Sequence, residues 1–108
     1  MSVMWIVFQI LGVIGVVATH TFNRWAGMHS ISFLTKWVIN AGAQAFIAPL
    51  FILAYQLAPG FFQPWFLGTT LIAILGFLVS VIIFGETITI LKIIGAVLGL
   101  IGAVLLVI

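Results

Sequence analysis

Apolar residues run along this chain in long unbroken blocks, neither alternating with period two nor confined to a single helix face. Four blocks, at residues 3–21, 31–56, 61–84 and 88–108, each approach the ~20 residues a helix needs to cross the hydrocarbon of a bilayer. Three interruptions separate them. The first is the polar run Phe22-Asn23-Arg24-Trp25-Ala26-Gly27-Met28-His29-Ser30, the second the turn signal Leu57-Ala58-Pro59-Gly60, the third Gly85-Glu86-Thr87. Pro49, inside the second block, removes one backbone hydrogen bond and predicts a bend there. Trp5, Trp25, Trp37 and Trp65 fall near block ends, the position of interfacial anchors. A transmembrane β-barrel would need alternating segments, which are absent. The pattern predicts an all-α, polytopic membrane protein, with residues 1–108 forming one four-helix transmembrane domain with short loops. The start, Met1-Ser2-Val3-Met4-Trp5, has neither a basic region nor a small-residue cleavage signature, so the first block reads as a retained span.

Composition narrows the solvent. Of 108 residues 66% are hydrophobic and 4% charged, and the mean hydropathy is +1.52. A soluble domain carries about a quarter charged residues, so the natural solvent is lipid, and the expected location is the cell (inner) membrane, multi-pass. The net charge of +2 rests on three basic side chains and one acid. No basic patch could track a phosphate backbone, which excludes nucleic acid as a partner. There is no cysteine, hence no disulfide, thiolate metal site or cysteine nucleophile. Arg24, Lys36 and Lys92 lie at or near the first and third connectors, which the positive-inside rule assigns to the cytoplasm, with both termini outside. So few charges leave insertion in both orientations open.

With so few polar groups, each one inside a span needs a reason. Lys36, Asn40 and Gln44 are spaced i, i+4, i+8 and share one face of the second helix. Either Lys36 snorkels to the interface while the amides bond across helices, or the stripe lines a substrate path with Lys36 attracting an anionic group. Glu86, near the start of the fourth helix, complements the helix dipole, and Thr87 is a candidate cap; Lys92, six residues on, is off its face. Gln9 and His20 are the polar residues of the first helix, His20 near a membrane surface. No carboxylate pair, Ser-His-Asp set, metal-ligand cluster or phosphate-binding glycine loop occurs. The expectation is a protein without catalytic residues, metal or cofactor, and not an enzyme.

Small residues form the other signal. Gly95, Gly99 and Gly102 fall at i, i+4, i+7 on the fourth helix, flanked by Ala96 and Ala103. Thr69, Ala73, Gly76 and Ser80 form a second stripe on the third helix, and the first helix carries Gly12 and Gly15. Such stripes let helix backbones approach closely in lipid, either within one chain or between chains.

The stretch Ile82-Ile83-Phe84-Gly85-Glu86-Thr87-Ile88-Thr89, followed by Ile94-Gly95-Ala96 and Gly102-Ala103-Val104, resembles the end of a repeat in the drug/metabolite transporter superfamily, EamA-like repeats included. The match is best over residues 65–108. Four helices in a chain of this length resemble the small multidrug resistance branch and the lipid-linked aminoarabinose flippase subunits. The resemblance implies an SMR-like fold, a dimer contact through Gly95 and Gly102 with Gly99 between them, and a substrate-contacting aromatic at Trp65. It also marks a departure. Exporters of that branch carry a membrane-embedded Glu in the first helix, and Gly12 stands at that position, with no acid before Glu86. Proton-coupled cation antiport is therefore not implied, and the flippase subunits are the better likeness. The expectation is a small transporter or flippase-type protein moving a small-molecule or lipid-linked substrate past Lys36, Asn40, Gln44 and Trp65. It would act as a homodimer, parallel or antiparallel, or as a small hetero-oligomer in membrane lipid. The alternative is a non-transporting helical subunit of a larger membrane complex.

Overall fold

The computed structural model describes residues 3–107, without the side chains of Ala103, Leu106 and Val107. Met1, Ser2 and Ile108, and the side chain of Ala103 in the small-residue stripe, lie outside the described residues. Four helices follow in order: α1 (Met4–Gly27), α2 (Phe33–Leu57), α3 (Phe62–Ile82) and α4 (Ile90–Val107), with no strand among the described residues. The first three, of 24, 25 and 21 residues, are long and apolar enough to cross a membrane. In α4 the comparable apolar stretch with described side chains is shorter, Ile90–Gly102.

The helix boundaries follow local chemistry more than apolarity. α1 does not stop at Thr21; it runs through most of the polar segment to Gly27, because helical hydrogen bonding needs no apolar side chains. Only 28–32 remains as connector, including Ser30 at φ +50°. Ser32 begins α2 by accepting a hydrogen bond from the Thr35 N–H at 3.2 Å, satisfying one of the orphan donors of the first turn. Pro49 is accommodated within α2. Helix α3 closes where Gly85, in the left-handed region at φ +61°, turns the Glu86 N–H back onto the Ser80 carbonyl at 3.0 Å. The break at Gly85-Glu86 is thus where the pattern places it. The cap of α4 falls later than Thr87. Thr89 Oγ1 accepts from the Lys92 N–H at 3.3 Å, and α4 begins at Ile90 instead of residue 88.

Helix α1 packs against both α2 and α3, and α4 packs on α3. This sets the helices side by side in the order α2–α1–α3–α4. The molecule measures 47 × 37 × 16 Å with a radius of gyration of 15.5 Å. A compact domain of this length would have a radius near 13 Å, so the helices form an open layer and not a closed bundle. Burial agrees: among the described residues the buried apolar side chains are Val13, Ala26, Ile47, Ala54 and Pro64, and the buried polar one is Gln9. Every residue from 90 to 101 is exposed. Large apolar side chains are exposed on every helix, among them Phe33, Phe46, Ile82 and Leu91. Such a surface suits lipid or another apolar helix.

Close packing is made by glycines at two seams. Between α1 and α2, a Cβ at Gly12 would lie 2.9 Å from the Phe51 ring, and one at Gly15 would lie 2.7 Å from Ile47 Cγ1. Between α1 and α3, a Cβ at Gly68 would overlap the Gln9 amide. That amide is 2% exposed and donates to the Pro64 carbonyl at 2.6 Å. By contrast, Gly95, Gly99 and Gly102 of α4 have no heavy atom within 4 Å of where a Cβ would stand. The α4 stripe is not engaged in a tight contact within the chain.

Candidate functional site

All four charged side chains, Arg24, Lys36, Glu86 and Lys92, lie toward the end of the layer formed by the 28–32 and 83–89 connectors. Helix α1 supplies Thr19, His20, Thr21, Asn23 and Arg24 over little more than one turn, and α2, entering antiparallel, brings Lys36 and Asn40 alongside. Asn23 Nδ2 donates to Asn40 Oδ1 at 2.9 Å, and Asn40 Nδ2 donates to Asn23 Oδ1 at 2.6 Å and to the Lys36 carbonyl at 2.8 Å. Asn40 therefore uses both donors and an acceptor lone pair within the protein, and its first task is to fasten α2 to α1. Asn23, its partner, stands in a segment whose composition reads as connector. Its link to Asn40 is a long-range contact that no local spacing reveals.

Beside this amide pair, an open groove of about 320 Å³ runs between α1 and α2, with Thr19, His20, Trp37, Asn40 and Gln44 on its walls. Thr19 directs its hydroxyl to the Gly15 carbonyl at 2.8 Å, while the Gln44 amide and the His20 ring have no partner within the described chain. Two members of the Lys36/Asn40/Gln44 stripe thus line one groove. Lys36, half-buried, sits a turn nearer the connector and outside the groove wall.

Trp65 is not with them. Lys36 and Trp65 each lie one turn inside the start of their helix, and α2 and α3 are consecutive helices joined by the short connector 58–61. Their starts face opposite ends of the layer. Trp65 belongs to an aromatic cluster with Phe61, Phe62 and Phe66, at centroid distances of 6.3, 6.4 and 5.2 Å, and Tyr55 joins through Phe61 at 5.8 Å. Rings so placed at a helix start form an interfacial belt. At the polar end, Trp25 stacks on His29 at 4.5 Å, with His29 Nδ1 donating to the Trp25 carbonyl at 2.7 Å.

The second groove, between α3 and α4, has a volume of about 350 Å³ and is almost wholly apolar. Thr69 and Ala73 of the α3 stripe face Gly95, Ala96 and Gly99 across it. Gly76 and Ser80 continue the α3 stripe in sequence but turn to α1. At Gly12 the Phe51 ring fills the space a larger side chain would need, so a carboxylate there would require Phe51 to move. Among the described residues no group of three or more His, Cys, Asp and Glu could hold a metal ion. Compared with known proteins, the chain matches no family model, no curated protein and no solved structure.

Proposed function

We propose that this chain is one part of a small transporter or flippase-type assembly of the drug/metabolite transporter kind, a multi-pass protein of the cell (inner) membrane. It moves a polar or lipid-linked substrate and does so as a dimer. The observation that carries this reading is the open groove between α1 and α2, where Gln44 and His20 offer unpartnered polar atoms beside an otherwise apolar layer. Polar groups at that depth are costly unless they meet a partner or a hydrated path. A single open layer cannot enclose such a path, so a second chain supplies the other wall. The unfilled stripe Gly95, Gly99 and Gly102 is the surface proposed to bring it in.

In this reading Lys36 draws an anionic group toward the groove and Gln44 meets hydroxyl or phosphate oxygens inside it, while Asn40, whose donors are taken by Asn23 and the Lys36 carbonyl, offers substrate only its remaining acceptor lone pair. Trp65 acts from the opposite surface, as a second contact at the far end of the path. Coupling to a proton through an α1 acid has no part in the proposal, since the matching position is Gly12. No chemical step is required of the protein.

The test is translocation of a fluorescent short-chain isoprenyl phosphate across proteoliposomes carrying the purified chain. Lys36→Ala and Gln44→Ala should each slow it severalfold, while leaving the oligomeric state unchanged. Translocation that is unaffected by both substitutions removes the groove from the path. The second reading, an accessory helical subunit, is favoured by the exposure of residues 90–101 of α4, a face open to docking on a larger complex. Copurification only alongside such a complex, with no homodimer in lipid, would select it.

A further inference from the structure

Arg24 and Glu86, two of the chain's four charged side chains, are 62 positions apart in sequence yet line the same pocket. Arg24 comes from the last turn of α1 and Glu86 from the connector after α3. His20, Thr21 and Ser80 complete the polar part of the wall of this space of about 210 Å³. The two charges do not pair, since no nitrogen-to-oxygen approach falls within 4.0 Å. The Arg24 guanidinium has no protein partner among the described residues. Glu86 accepts a hydrogen bond from the Ser80 hydroxyl on Oε2, which fixes the carboxylate and leaves Oε1 open. The rest of the wall is apolar, Val17, Ile72, Val79 and Phe84, and runs down the α1–α3 seam. No Cβ narrows it at Gly76.

A cation and an anion held apart in one pocket fit a ligand whose own charges are held apart. We propose that this pocket binds a zwitterion of the phosphoethanolamine class, with its phosphate on Arg24 and its primary ammonium on Glu86. Arg presents a planar fork matched to phosphate oxygens, and a carboxylate oxygen already oriented by a serine accepts an N–H donor well. The primary ammonium matters, because a quaternary ammonium has no N–H to give. The pocket sits at the end of the helices, where lipid headgroups lie, and its apolar floor continues along the seam where an acyl chain would run. Headgroup chemistry is shared by a membrane lipid and by a soluble phosphoethanolamine, and the experiment separates them. The inference rests on the membrane reading but not on transport.

The test is native mass spectrometry of the protein released from nanodiscs of equal phosphatidylethanolamine, phosphatidylcholine and phosphatidylglycerol. The wild-type chain should retain phosphatidylethanolamine preferentially. Arg24→Gln and Glu86→Gln should each lower that retention about tenfold, the scale of one charge-assisted hydrogen bond. Lys92→Gln removes a charge from the same end outside the pocket and should change nothing. Displacement of the lipid by soluble phosphoethanolamine shows that the headgroup alone is recognised; a lipid that resists displacement shows that the acyl chain is recognised with it. Equal retention of the three lipids overturns the proposal, as does a preference for phosphatidylglycerol that Glu86→Gln strengthens. Failure of the chain to enter nanodiscs would overturn the membrane reading together with it, whereas entry without preference overturns this inference alone.

Discussion

Replacing Gly15 by alanine places a methyl group 2.7 Å from Ile47 Cγ1 and 3.1 Å from its Cδ1. Unstrained carbon contacts lie at about 3.5–4.0 Å, so the overlap is close to 1 Å. Ile47 is 5% exposed and, being β-branched on a helix, has essentially one χ1 rotamer to offer. The strain is relieved only if α1 and α2 move apart. Overpacking of this kind costs about 1–3 kcal/mol. The better helix propensity of alanine returns up to about 1 kcal/mol, leaving a net loss of roughly 1–2 kcal/mol. The same substitution at Gly99 meets no heavy atom within 4 Å and keeps only the propensity gain, so it should be neutral or stabilising by up to about 1 kcal/mol. The two Gly→Ala changes therefore have opposite signs for the single chain. Reversible unfolding in mixed micelles, at dilutions where the protein is monomeric, measures both. Ile47→Ala should cost less in the Gly15→Ala background than in the wild-type chain, with a coupling of about 1 kcal/mol in a double-mutant cycle. Equal effects at positions 15 and 99, or no coupling to Ile47, would refute the packing described for the α1–α2 seam.

Three further substitutions follow from individual contacts. Asn40→Leu breaks the reciprocal amide pair with Asn23 and should cost about 0.6–1.7 kcal/mol in the same unfolding assay, with Asn23→Leu adding little once Asn40 is gone. Gln9→Met loses the bond to the Pro64 carbonyl, about 0.5–1.5 kcal/mol, but also removes a buried Oε1 with no partner, whose burial costs about 1–3 kcal/mol; the expected result is a stability at or above wild type. Gly85→Ala forces a side chain into φ +61° and should destabilise by about 1–2 kcal/mol, with faster amide exchange concentrated in the 83–89 turn.

The helices and their breaks were legible because apolar blocks and the Gly85-Glu86 turn are local signals. Helix ends were less so. The polar run after Thr21 reads as a loop by composition, but its backbone stays helical to Gly27, which brings Asn23 onto a helix face where it can meet Asn40. That all three of Lys36, Asn40 and Gln44 lie on one face follows from helical spacing. Trp65 standing at the opposite end follows equally from counting alternate spans. The glycines illustrate the limit. Gly12, Gly15, Gly95 and Gly99 give the same small-residue signal, yet the first pair receives side chains of α2 while the second faces open space. Which glycine has a neighbour depends on the order in which helices stand in the layer, and no spacing along one helix encodes that order. The meeting of Arg24 with Glu86 is non-local in the same way.

The central claim is that this open layer completes its path with a second chain against the face of α4 that carries Gly95, Gly99 and Gly102. The chain has no native cysteine, so a scan of single cysteines through α4, oxidised in lipid, reads that face directly. The account predicts covalent dimers with maxima at positions 95, 99 and 102, and none from Ile52→Cys on the exposed surface of α2. Uniformly weak crosslinking along α4, or maxima on its opposite face, would contradict it.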